Sequence, residues 1–531
     1  MSKKRILILG GGFGGIYTAM HLEKILKNEC DVEIALVNRE NYFVYQPMLA
    51  EIVGGSIGIL DTVSSIRKLL PRTRLFIREI DGIDLDQKKV MLTPQFSHKP
   101  FELSYDHLVL GLGNVTDFRG MTGLHEHALP FKNLADAIHL RNRIIDAIET
   151  AAIESDPDLR KKLLTFVVGG GGYSGVEVVA ELNDFARKLC KKVPDVDPSE
   201  LRIVLIHSKG RVLDRELSPS LGEYSGELLQ KRGVEIRFNE RLHSATPQEA
   251  ILESGERIGS KTIISTVPSS PNPLIEALKL PQEKGKIKTD LSLQVEGSDH
   301  IWAIGDCALI PHPKGEGYCP PTAQFALRQG KIIGENILAT LKGKPKCQFE
   351  FKGLGTMGAL GHHRAVAELF GRFKLSGFFA WFMWRFVYWL KLPGADRKAK
   401  VALSWLLDAI FPQEAVQLKL TPSSGIAPLH FEEGEIIFNE GDIGDYLYII
   451  VDGSVEILKG DKRVAELSKG AYFGEMALLN QKSRSATIRC LSSVDVLALK
   501  KSDFGILIAN FQELRDQIET TEKERAEDLL R

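Results

Sequence analysis

A repeated glycine turn constrains the fold of this 531-residue chain more than any other feature. Residues 5–15 read Arg-Ile-Leu-Ile-Leu-Gly-Gly-Gly-Phe-Gly-Gly, and residues 164–175 read Leu-Thr-Phe-Val-Val-Gly-Gly-Gly-Gly-Tyr-Ser-Gly. In both copies a short apolar strand runs into a G-x-G-x-x-G turn and then into a helical stretch. Such glycines permit a tight turn and let the N–H groups of a helix N-terminus approach a pyrophosphate. One copy is weak evidence, but two copies in this context predict an α/β fold with two Rossmann-like dinucleotide-binding domains.

Length, charge and cysteine spacing narrow the class of protein. A chain of 531 residues is expected to fold as about three or four domains. Hydrophobic residues make up 44% and charged residues 26%, which is typical of globular proteins. Because 68 Lys and Arg residues stand against 69 Asp and Glu residues, nucleic acid is not expected as the main partner. The six cysteines lie far apart, without C-x-x-C or zinc-site spacing, so we expect reduced thiols and no metal site.

No segment of the sequence is suited to crossing a membrane. No stretch reaches the ~20 apolar residues that a spanning helix needs. The first residues combine Lys3, Lys4 and Arg5 with a short apolar run, as a signal peptide would, but the run ends at Leu9 in a glycine turn. We therefore expect a buried strand here and a protein that stays in the cytoplasm.

Further motifs accompany the two glycine turns in a fixed order. They are Asn38-Arg-Glu-Asn-Tyr-Phe-Val-Tyr-Gln-Pro47, Gly175-Val-Glu177, Gly305-Asp306 and Pro321-Thr-Ala-Gln324. With them, residues 3–412 resemble the type II NADH dehydrogenases, a family of two-dinucleotide-binding flavoproteins. The resemblance implies non-covalent FAD on the first turn, NADH or NADPH on the second, and electron transfer from the nicotinamide to a membrane quinone.

The resemblance also assigns individual residues to these roles. FAD would be bound by Gly10, Gly12, Gly15, Asn38, Arg39, Gly113 and Asp306. The nicotinamide cofactor would be bound by Gly170, Gly172, Gly175 and His207. As catalytic residues, Glu177 would lie near the nicotinamide and the flavin, and Gln324 would face the quinone side of the flavin. The alternative for Glu177 is an ordinary acidic residue near a helix N-terminus, favoured by the helix dipole.

Several positions depart from the family pattern. An acid normally ends the second strand of each dinucleotide unit and binds the ribose, but this chain has Asn38 in the first unit and His207 in the second. Without a carboxylate to repel a 2′-phosphate, and with Arg211 nearby, NADPH stays as an alternative to NADH. The second Gln of the family's A-Q-x-A-x-Q motif is Arg328 here, and His362 stands where relatives often carry Lys or Arg.

Cysteine placement separates the chain from related flavoproteins. Disulfide reductases of this fold use a closely spaced redox pair, and sulfide:quinone reductases use cysteines beside the flavin. This sequence has no cysteine between Cys30 and Cys190. We therefore expect direct hydride transfer to the flavin without a thiol relay.

An aromatic and basic segment follows the dinucleotide units. Residues 371–411 contain four of the five tryptophans, and residues 377–390 carry a single charge, Arg385. The segment is too short to span a bilayer, and its composition favours a helix lying in the membrane interface. The alternatives are a buried core helix and a dimer contact. The family resemblance favours docking at the cytoplasmic face of the cell membrane, with quinone as partner, and we also expect a homodimer.

The C-terminal region carries a second set of motifs. These are Gly434-Glu-Ile-Ile-Phe-Asn-Glu-Gly-Asp-Ile-Gly-Asp445, Phe473-Gly-Glu-Met-Ala-Leu-Leu479 and Arg484-Ser-Ala486. With them, the chain from about residue 430 resembles the cyclic nucleotide-binding domain, a β-roll with a terminal helix. The resemblance implies that Glu475 accepts the ribose 2′-OH and that Arg484 binds the cyclic phosphate, while Ser485 favours cAMP over cGMP. A roll that binds no nucleotide and only mediates contacts is the alternative.

Together these patterns predict five segments. They are an FAD-binding domain (1–130 with 295–350), a NAD(P)H-binding domain (131–294), a helical membrane-docking segment (351–412), a linker (413–428) and a cyclic nucleotide-binding domain (429–531). The predicted function is an NAD(P)H:quinone oxidoreductase controlled by a cyclic nucleotide. A soluble flavoprotein reductase with another acceptor stays open, as does a non-catalytic sensor in which FAD is structural.

Overall fold

The structure has two compact units. The computed structural model describes residues 3–94, 101–116, 118, 121–266, 269–313, 315, 317–411, 415–418, 426–442, 444, 446–460, 462–480, 483–501, 504, 518, 520, 521 and 525. The first unit comprises residues 1–77 and 105–419, and the second comprises residues 78–104 and 420–531. Residues 78–104 were predicted to belong to the FAD-binding domain, whereas the structure groups them with the C-terminal residues.

The first glycine turn follows the central strand of a five-stranded parallel sheet. Across the sheet the strands are Ile301–Ala303, His107–Leu110, Lys4–Leu9, Val32–Asn38 and Arg74–Ile77. Its central strands are buried runs of leucine and β-branched residues, as expected for a parallel sheet covered on both faces. The helix after the turn, here named the first dinucleotide helix, spans Phe13–Ile25 and packs against Ala323–Leu341.

The second glycine turn occupies the equivalent place in another five-stranded parallel sheet. Its strands, in spatial order, are Ala128–Pro130, Thr262–Ser265, Thr165–Gly169, Arg202–His207 and Val234–Phe238. The second dinucleotide helix spans Tyr173–Cys190. The two sheets confirm the predicted pair of dinucleotide-binding folds.

Further helices and strands complete the dinucleotide-binding part of the first unit. The remaining helices are Leu49–Gly54, Ile66–Leu69, Leu124–His127, Leu134–Ile153, Pro157–Leu163, Pro219–Lys231 and Pro273–Glu276, with 3₁₀ turns at Gln46–Met48, Ile59–Thr62, Pro198–Glu200 and Gly305–Cys307. The remaining strands are Tyr42–Val44, Val63–Ser65, Asn114–Thr116, Leu242–Ala245, Glu249–Leu252, Arg257–Gly259, Ser269–Pro271, Gln282–Glu283, Lys286–Lys288 and Ala308–Leu309.

Residues 355–410 form a small antiparallel sheet followed by two helices. The strands are Gly355–Ala359, Ala365–Leu369 and Phe373–Ser376. The aromatic helix spans Gly377–Lys391, and the amphipathic helix spans Ala395–Ile410. The predicted segment 351–412 is therefore helical only in its second half, because its first half pairs as a sheet. Across the described ranges, no helix combines the length and apolar character that a membrane span requires.

The second unit contains a three-stranded sheet and the predicted β-roll. The three strands are Ile80–Asp84, Lys89–Leu92 and Phe101–Ser104. The roll has one sheet of Ile426–Phe431, Val494–Lys500, Tyr446–Asp452 and Tyr472–Phe473, another of Ile436–Phe438, Thr487–Cys490, Ser454–Lys459 and Lys462–Ser468, and a helix at Glu475–Asn480. Its first strand begins at Ile426, inside the predicted linker. The prediction of a terminal helix falls mainly on residues outside the described ones: Phe504 and Ile518 are described and buried, and residues 505–517 are not described.

Candidate active site

The first glycine turn is shaped by close backbone contacts around one open position. Gly10 has a φ of +102°, and a Cβ on Gly15 would lie 1.9 Å from the Gly10 carbonyl oxygen. Only glycine fits these two positions. Gly12 differs, because a Cβ built there would meet no described atom within 4 Å. The turn therefore leaves space beside the N-terminus of the first dinucleotide helix, where a pyrophosphate could be accommodated.

Asn38 holds this turn in place. Its Oδ1 accepts a hydrogen bond from the N–H of Gly11 at 2.8 Å, and its Nδ2 donates to the carbonyl of Glu40 at 2.9 Å. The predicted ribose contact of Asn38 stays a prediction, whereas its contact with the turn is direct. Arg39 is exposed at the same end of the strand.

Asp306 lies where a second part of a dinucleotide could be bound. It follows the strand Ile301–Ala303 in the 3₁₀ turn Gly305–Cys307, and none of the described residues donates a hydrogen bond to its carboxylate. Burial raises the pKa of Asp306, and the positive charge of Lys132 opposes this rise. Gly113, with a φ of +63°, also faces no described atom within 4 Å of a built Cβ. Sequence reasoning missed Lys132, since no motif marks it.

The second glycine turn repeats this construction. Gly170 has a φ of +112°, and a Cβ on Gly175 would lie 1.8 Å from the Gly170 carbonyl oxygen. A Cβ on Gly172 would lie 3.0 Å from Oε1 of Glu216. A carboxylate therefore borders the second turn.

His207 holds the second turn as Asn38 holds the first. Its Nδ1 accepts a hydrogen bond from the N–H of Gly171 at 3.2 Å, and its Nε2 lies 3.2 Å from Oδ1 of Asp214. Burial lowers the pKa of His207, so the ring is neutral at pH 7. Arg211 donates to the carbonyls of Leu217 and Asp214 at 3.0 and 2.7 Å. The expectation that no carboxylate lies near this strand end is wrong, because the loop after the strand brings Asp214 back to it.

Glu177 lies in the second turn of the second dinucleotide helix and is partly buried. Its Oε1 accepts a hydrogen bond from the N–H of Ala359 at 3.0 Å. Burial raises the pKa of Glu177 to about 8, and the negative charge of Glu51 adds to the rise. Burial also raises the pKa of Tyr388, and the negative charge of Glu177 adds to that rise. This enclosed setting differs from that of an ordinary exposed helix acid, and a carboxyl with such a pKa can hold or release a proton near neutral pH.

A buried ion pair joins the aromatic helix to the helix Leu49–Gly54. Nη2 and Nε of Arg385 donate to Oε1 of Glu51 at 2.8 and 3.1 Å. The two residues are 8% and 3% exposed. The guanidinium also lies over the rings of Trp381 and Trp405, 4.3 and 4.7 Å from their centroids. Sequence reasoning noticed Arg385 as a lone charge but did not find its partner, although a buried charge requires one.

Gln324 and Arg328 lie one helical turn apart on Ala323–Leu341. Nε2 of Gln324 donates to the carbonyl of Gly355 at 3.0 Å, and its Oε1 accepts from the N–H of Leu354 at 3.3 Å. Arg328 donates to the carbonyl of Gln324 at 2.8 Å and lies 3.9 Å from the ring centroid of Phe351. Gln324 therefore anchors the small antiparallel sheet to this helix.

The aromatic helix has one buried and one exposed face. Ala380 and Trp384 are 0% and 1% exposed and pack against the small sheet. On the other face, Phe379 and Phe382 are 78% and 61% exposed. The core-helix alternative is thus correct for half of the helix, and an extended apolar surface remains on the other half.

A pocket in the roll contains the residues predicted to bind a cyclic nucleotide. Glu475 and Arg484 are 2% and 4% exposed, and both line a cavity of about 90 Å³ together with Ser485. Arg484 donates to the carbonyls of Gly474 and Tyr446, each at 2.8 Å. Nη1 of Arg525, from the terminal residues, donates to Oε1 of Glu475 at 2.7 Å. The carboxylate predicted to bind ribose is therefore paired with an arginine in this structure.

The fold and the paired glycine turns define the chain as a two-dinucleotide-binding oxidoreductase. Residues 4–330 match the family model "Pyridine nucleotide-disulphide oxidoreductase", residues 354–413 match "NDH2 C-terminal domain", and residues 428–511 match "Cyclic nucleotide-binding domain". The chain belongs to the type II NADH dehydrogenase family, as the sequence motifs predicted.

The similarity to known relatives extends over most of the chain. The demethylphylloquinone reductase NdbB of Synechocystis sp. is 32% identical over 413 residues, which cover 76% of this chain and 96% of that protein. The type II NADH:quinone oxidoreductase of Staphylococcus aureus is 30% identical over 381 residues, 70% of this chain and 90% of that protein. The structure of NDH2 from Plasmodium falciparum in complex with NADH is similar in fold, with a TM-score of 0.72 and 19% identity over 78% of this chain and all of that one.

Proposed function

We propose that this protein is an FAD-dependent NADH:quinone oxidoreductase that docks on the cytoplasmic face of the cell membrane and responds to a cyclic nucleotide. The observation that carries the proposal is the repeated pair of glycine turns, with Glu177 enclosed just after the second. The relatives named for NADH and quinone chemistry support the same reaction. A homodimeric state belongs to the proposal as well, and so does the predicted domain division, apart from residues 78–104 and the start of the roll at Ile426.

FAD fits the first turn on two structural grounds. A Cβ built at Gly12 meets no described atom within 4 Å, so space is left beside the turn where the pyrophosphate would bind, and the Asp306 carboxylate would be available to accept a hydroxyl hydrogen bond. When bound, FAD would accept a hydride from the nicotinamide and pass two electrons to the acceptor. Gly10 and Gly15 would keep the backbone close to the pyrophosphate, and Gly113 would allow close approach near the flavin.

Glu177 and Gln324 would act on opposite sides of the reacting centre. Reduction of a quinone by NADH consumes one proton, and a carboxyl whose pKa is about 8 holds a proton at neutral pH. Glu177 would therefore position the nicotinamide side and hold a proton at its carboxyl oxygen. Gln324 would keep the strand Gly355–Ala359, and with it the quinone side, in place.

NADH fits the second turn better than NADPH. Asp214 lies against His207 at the strand end where the ribose would be bound, so a 2′-phosphate would meet negative charge there. Arg211 is turned toward backbone carbonyls of its own loop. The negative charge of Asp214 therefore offsets the basic residues that favoured NADPH as an alternative.

The exposed face of the aromatic helix supports membrane docking. Together with the amphipathic helix, this face presents a large patch of apolar side chains, and exposure of such a patch to water is unfavourable. Aromatic residues at this position suit the interface of a bilayer, in which a quinone is dissolved.

The roll is proposed to bind cAMP through Glu475 and Arg484. The cavity of about 90 Å³ lies below the ~300–1,000 Å³ of most small-molecule sites. Binding would therefore require Arg525 to leave Glu475. Arg525 would then have two arrangements, one paired with Glu475 and one released, and the nucleotide would shift the population toward the released one.

Steady-state assays test the enzymatic part of the proposal. The purified protein should retain FAD, oxidise NADH faster than NADPH, and reduce a short-chain quinone. Glu177→Gln should retain FAD and NADH binding but lower the rate, because an amide cannot release the proton. A protein that cannot be reconstituted with FAD, or that reacts with neither nicotinamide, would refute the proposal.

A further inference from the structure

A buried carboxyl group that the proposed reaction does not use lies one helical turn beyond Glu177. Glu181 is 6% exposed, although acidic side chains are rarely buried without a cation or hydrogen-bond donors. Among the described residues, none forms an ion pair with this carboxyl group or donates a hydrogen bond to it. Because such burial costs free energy of folding, the presence of Glu181 needs an explanation other than stability.

The neighbouring chain is shaped around this carboxyl group. A Cβ built on Gly54 would lie 2.0 Å from Oε2 of Glu181. Gly54 ends the helix Leu49–Gly54 and does not have the left-handed backbone that favours glycine. The absence of a side chain at Gly54 is therefore what admits the carboxyl group of Glu181.

Glu181 lies between two other carboxyl groups on one face of the second dinucleotide helix. Glu177 precedes it by four residues and Asp184 follows it by three, and these are the spacings of neighbours on one helix face. Asp184 is partly exposed, accepts a hydrogen bond from the N–H of His362 at 2.7 Å and is paired with Arg232. The three carboxyl groups thus run from the proposed reacting centre to a position that water can reach.

The surroundings of Glu181 favour its protonated form. The charged groups on the helices packed against it are Asp184, Lys188, Glu51, Arg385 and Arg141. Burial raises the pKa of Glu181 well above its usual value, and the negative charges of Asp184 and Glu51 add to the rise. The positive charges of Arg385 and Lys188 oppose it. The carboxyl group of Glu181 therefore carries a proton at pH 7.

We propose that Glu181 is a positioning residue that passes a proton to Glu177 during quinone reduction. The inference rests on the proposed oxidoreductase function. Conversion of NADH and quinone to NAD⁺ and quinol consumes one proton besides the hydride, and the proton that Glu177 holds ends on a quinol oxygen. The Glu177 carboxylate then takes the proton of Glu181, and Glu181 regains one from water by way of Asp184. Each transfer breaks one O–H bond and forms another, without movement of electrons between the carboxyl groups.

Stopped-flow measurements on Glu181→Gln test the proposal, because an amide of the same shape cannot pass the proton on. Bleaching of the FAD-loaded variant by NADH should keep the wild-type rate. Reoxidation by a short-chain quinone should slow by about a hundredfold, the low end of what a positioned proton-transfer group contributes, and added formic acid should restore part of the rate. Equal reoxidation rates in the variant and the wild type would overturn the proposal and leave the proposed function standing. A wild type that NADH does not bleach would instead refute the proposed function.

Stability and infrared spectra separate this role from a structural one. Glu181→Met should leave the thermal midpoint unchanged or raise it, because a carboxyl group without partners is replaced by an apolar side chain of similar size. The FAD-free variant should also lose the infrared absorption of one protonated carboxyl group. The matched control, Glu235→Gln, breaks ion pairs with Arg202 and Arg237 at 2.9 and 2.6 Å and should keep both half-reactions. A lower midpoint in Glu181→Met, with both half-reactions slowed equally, would overturn the proposal.

Gly54→Ala tests the same carboxyl group without altering it chemically. The new Cβ would displace Oε2 of Glu181, which can move because it ends a flexible side chain. Reoxidation by the quinone should slow while bleaching by NADH is unchanged. The matched control is Gly226→Ala in the helix Pro219–Lys231, where the Cβ would lie 3.6 Å from the ring of Phe238 in ordinary contact. Equal reoxidation rates in the two variants would overturn the place of Glu181 in the proton path.

Discussion

Replacing Arg385 by methionine tests the buried ion pair with Glu51. Because the two residues are 8% and 3% exposed, loss of the cation leaves a carboxylate without its partner in an apolar setting. Breaking a buried pair in this way costs about 3–5 kcal/mol. Methionine keeps most of the side-chain volume beside Trp381 and Trp405, so the loss should come from charge and not from a cavity.

The destabilisation should depend on pH with a defined sign. Burial raises the pKa of Glu51 above 4.5, and Arg385 is the main group that opposes this rise. In the variant the folded pKa should lie still further above the unfolded value, so the protein takes up a proton on folding. The penalty then grows as the pH rises through the unfolded value of ~4.3. We expect the largest loss near pH 7 and little loss below about pH 4.

Tryptophan fluorescence during urea unfolding measures the effect where it occurs. Four of the five tryptophans lie in or next to the two C-terminal helices of the first unit: Trp381, Trp384, Trp389 and Trp405. With a urea slope of about 2 kcal/mol per M, the midpoint of their transition should fall by about 1.5–2.5 M at pH 7.

Two further variants decide whether charge is the cause. Glu51→Leu combined with Arg385→Met should recover most of the midpoint, because no uncompensated charge remains. Lys231→Met removes an exposed pair with Glu227 at 3.6 Å and should shift the midpoint very little. Equal midpoints for the Arg385→Met variant and the double variant at pH 7 would refute the electrostatic reasoning.

Three other changes give separable outcomes. Gly12→Val should preserve the thermal midpoint of the FAD-free protein but abolish FAD retention, and equal retention of FAD by this variant and the wild type would contradict the prediction. Gly15→Ala should instead destabilise the fold by about 1–3 kcal/mol or more, because its Cβ would collide with a backbone carbonyl. Changing the exposed Phe379 and Phe382 to Ser should leave NADH oxidation with a water-soluble acceptor intact and reduce vesicle flotation, each side chain contributing up to about 3 kcal/mol; unchanged flotation would show that this face does not dock. Arg525→Ala should raise cAMP affinity by about fivefold in isothermal titration, roughly 1 kcal/mol, since no ion pair has to be broken first; an unchanged affinity would show that the pair does not compete with nucleotide.

Local patterns predicted the parts of the structure that depend on local geometry. The glycine turns follow from backbone sterics alone, so Gly10, Gly15, Gly170 and Gly175 were assigned from the sequence and lie where the turns require them. The roll was likewise predicted from alternating strands and short turns. Periodicity did not show that Gly355–Ala359 and its two neighbouring strands precede the aromatic helix, because pairing between strands depends on tertiary packing.

Contacts between distant residues could not be predicted from the sequence. Arg385 and Glu51 are 334 positions apart, and no sequence motif near either residue indicates that the two are paired. Asp214 is only seven residues from His207, and the two side chains meet because the chain reverses its direction between them. No sequence motif predicts this reversal. The composition of the aromatic segment predicted an apolar surface but not that Trp384 belongs to the core, because composition does not tell one helix face from the other.

The hydrogen bonds that hold the two glycine turns differ in one respect that matters in acid. Gly11 donates to an amide oxygen, which does not titrate in the physiological range, whereas Gly171 donates to an imidazole nitrogen, which must be unprotonated to accept. Protonation of His207 would turn that acceptor into a donor facing another donor. Since burial lowers its pKa, this protonation requires a more acidic solution than protonation of an exposed histidine does. Acidification should therefore loosen the second glycine turn, where the nicotinamide cofactor is proposed to bind, before it affects the first turn, where FAD is proposed to bind.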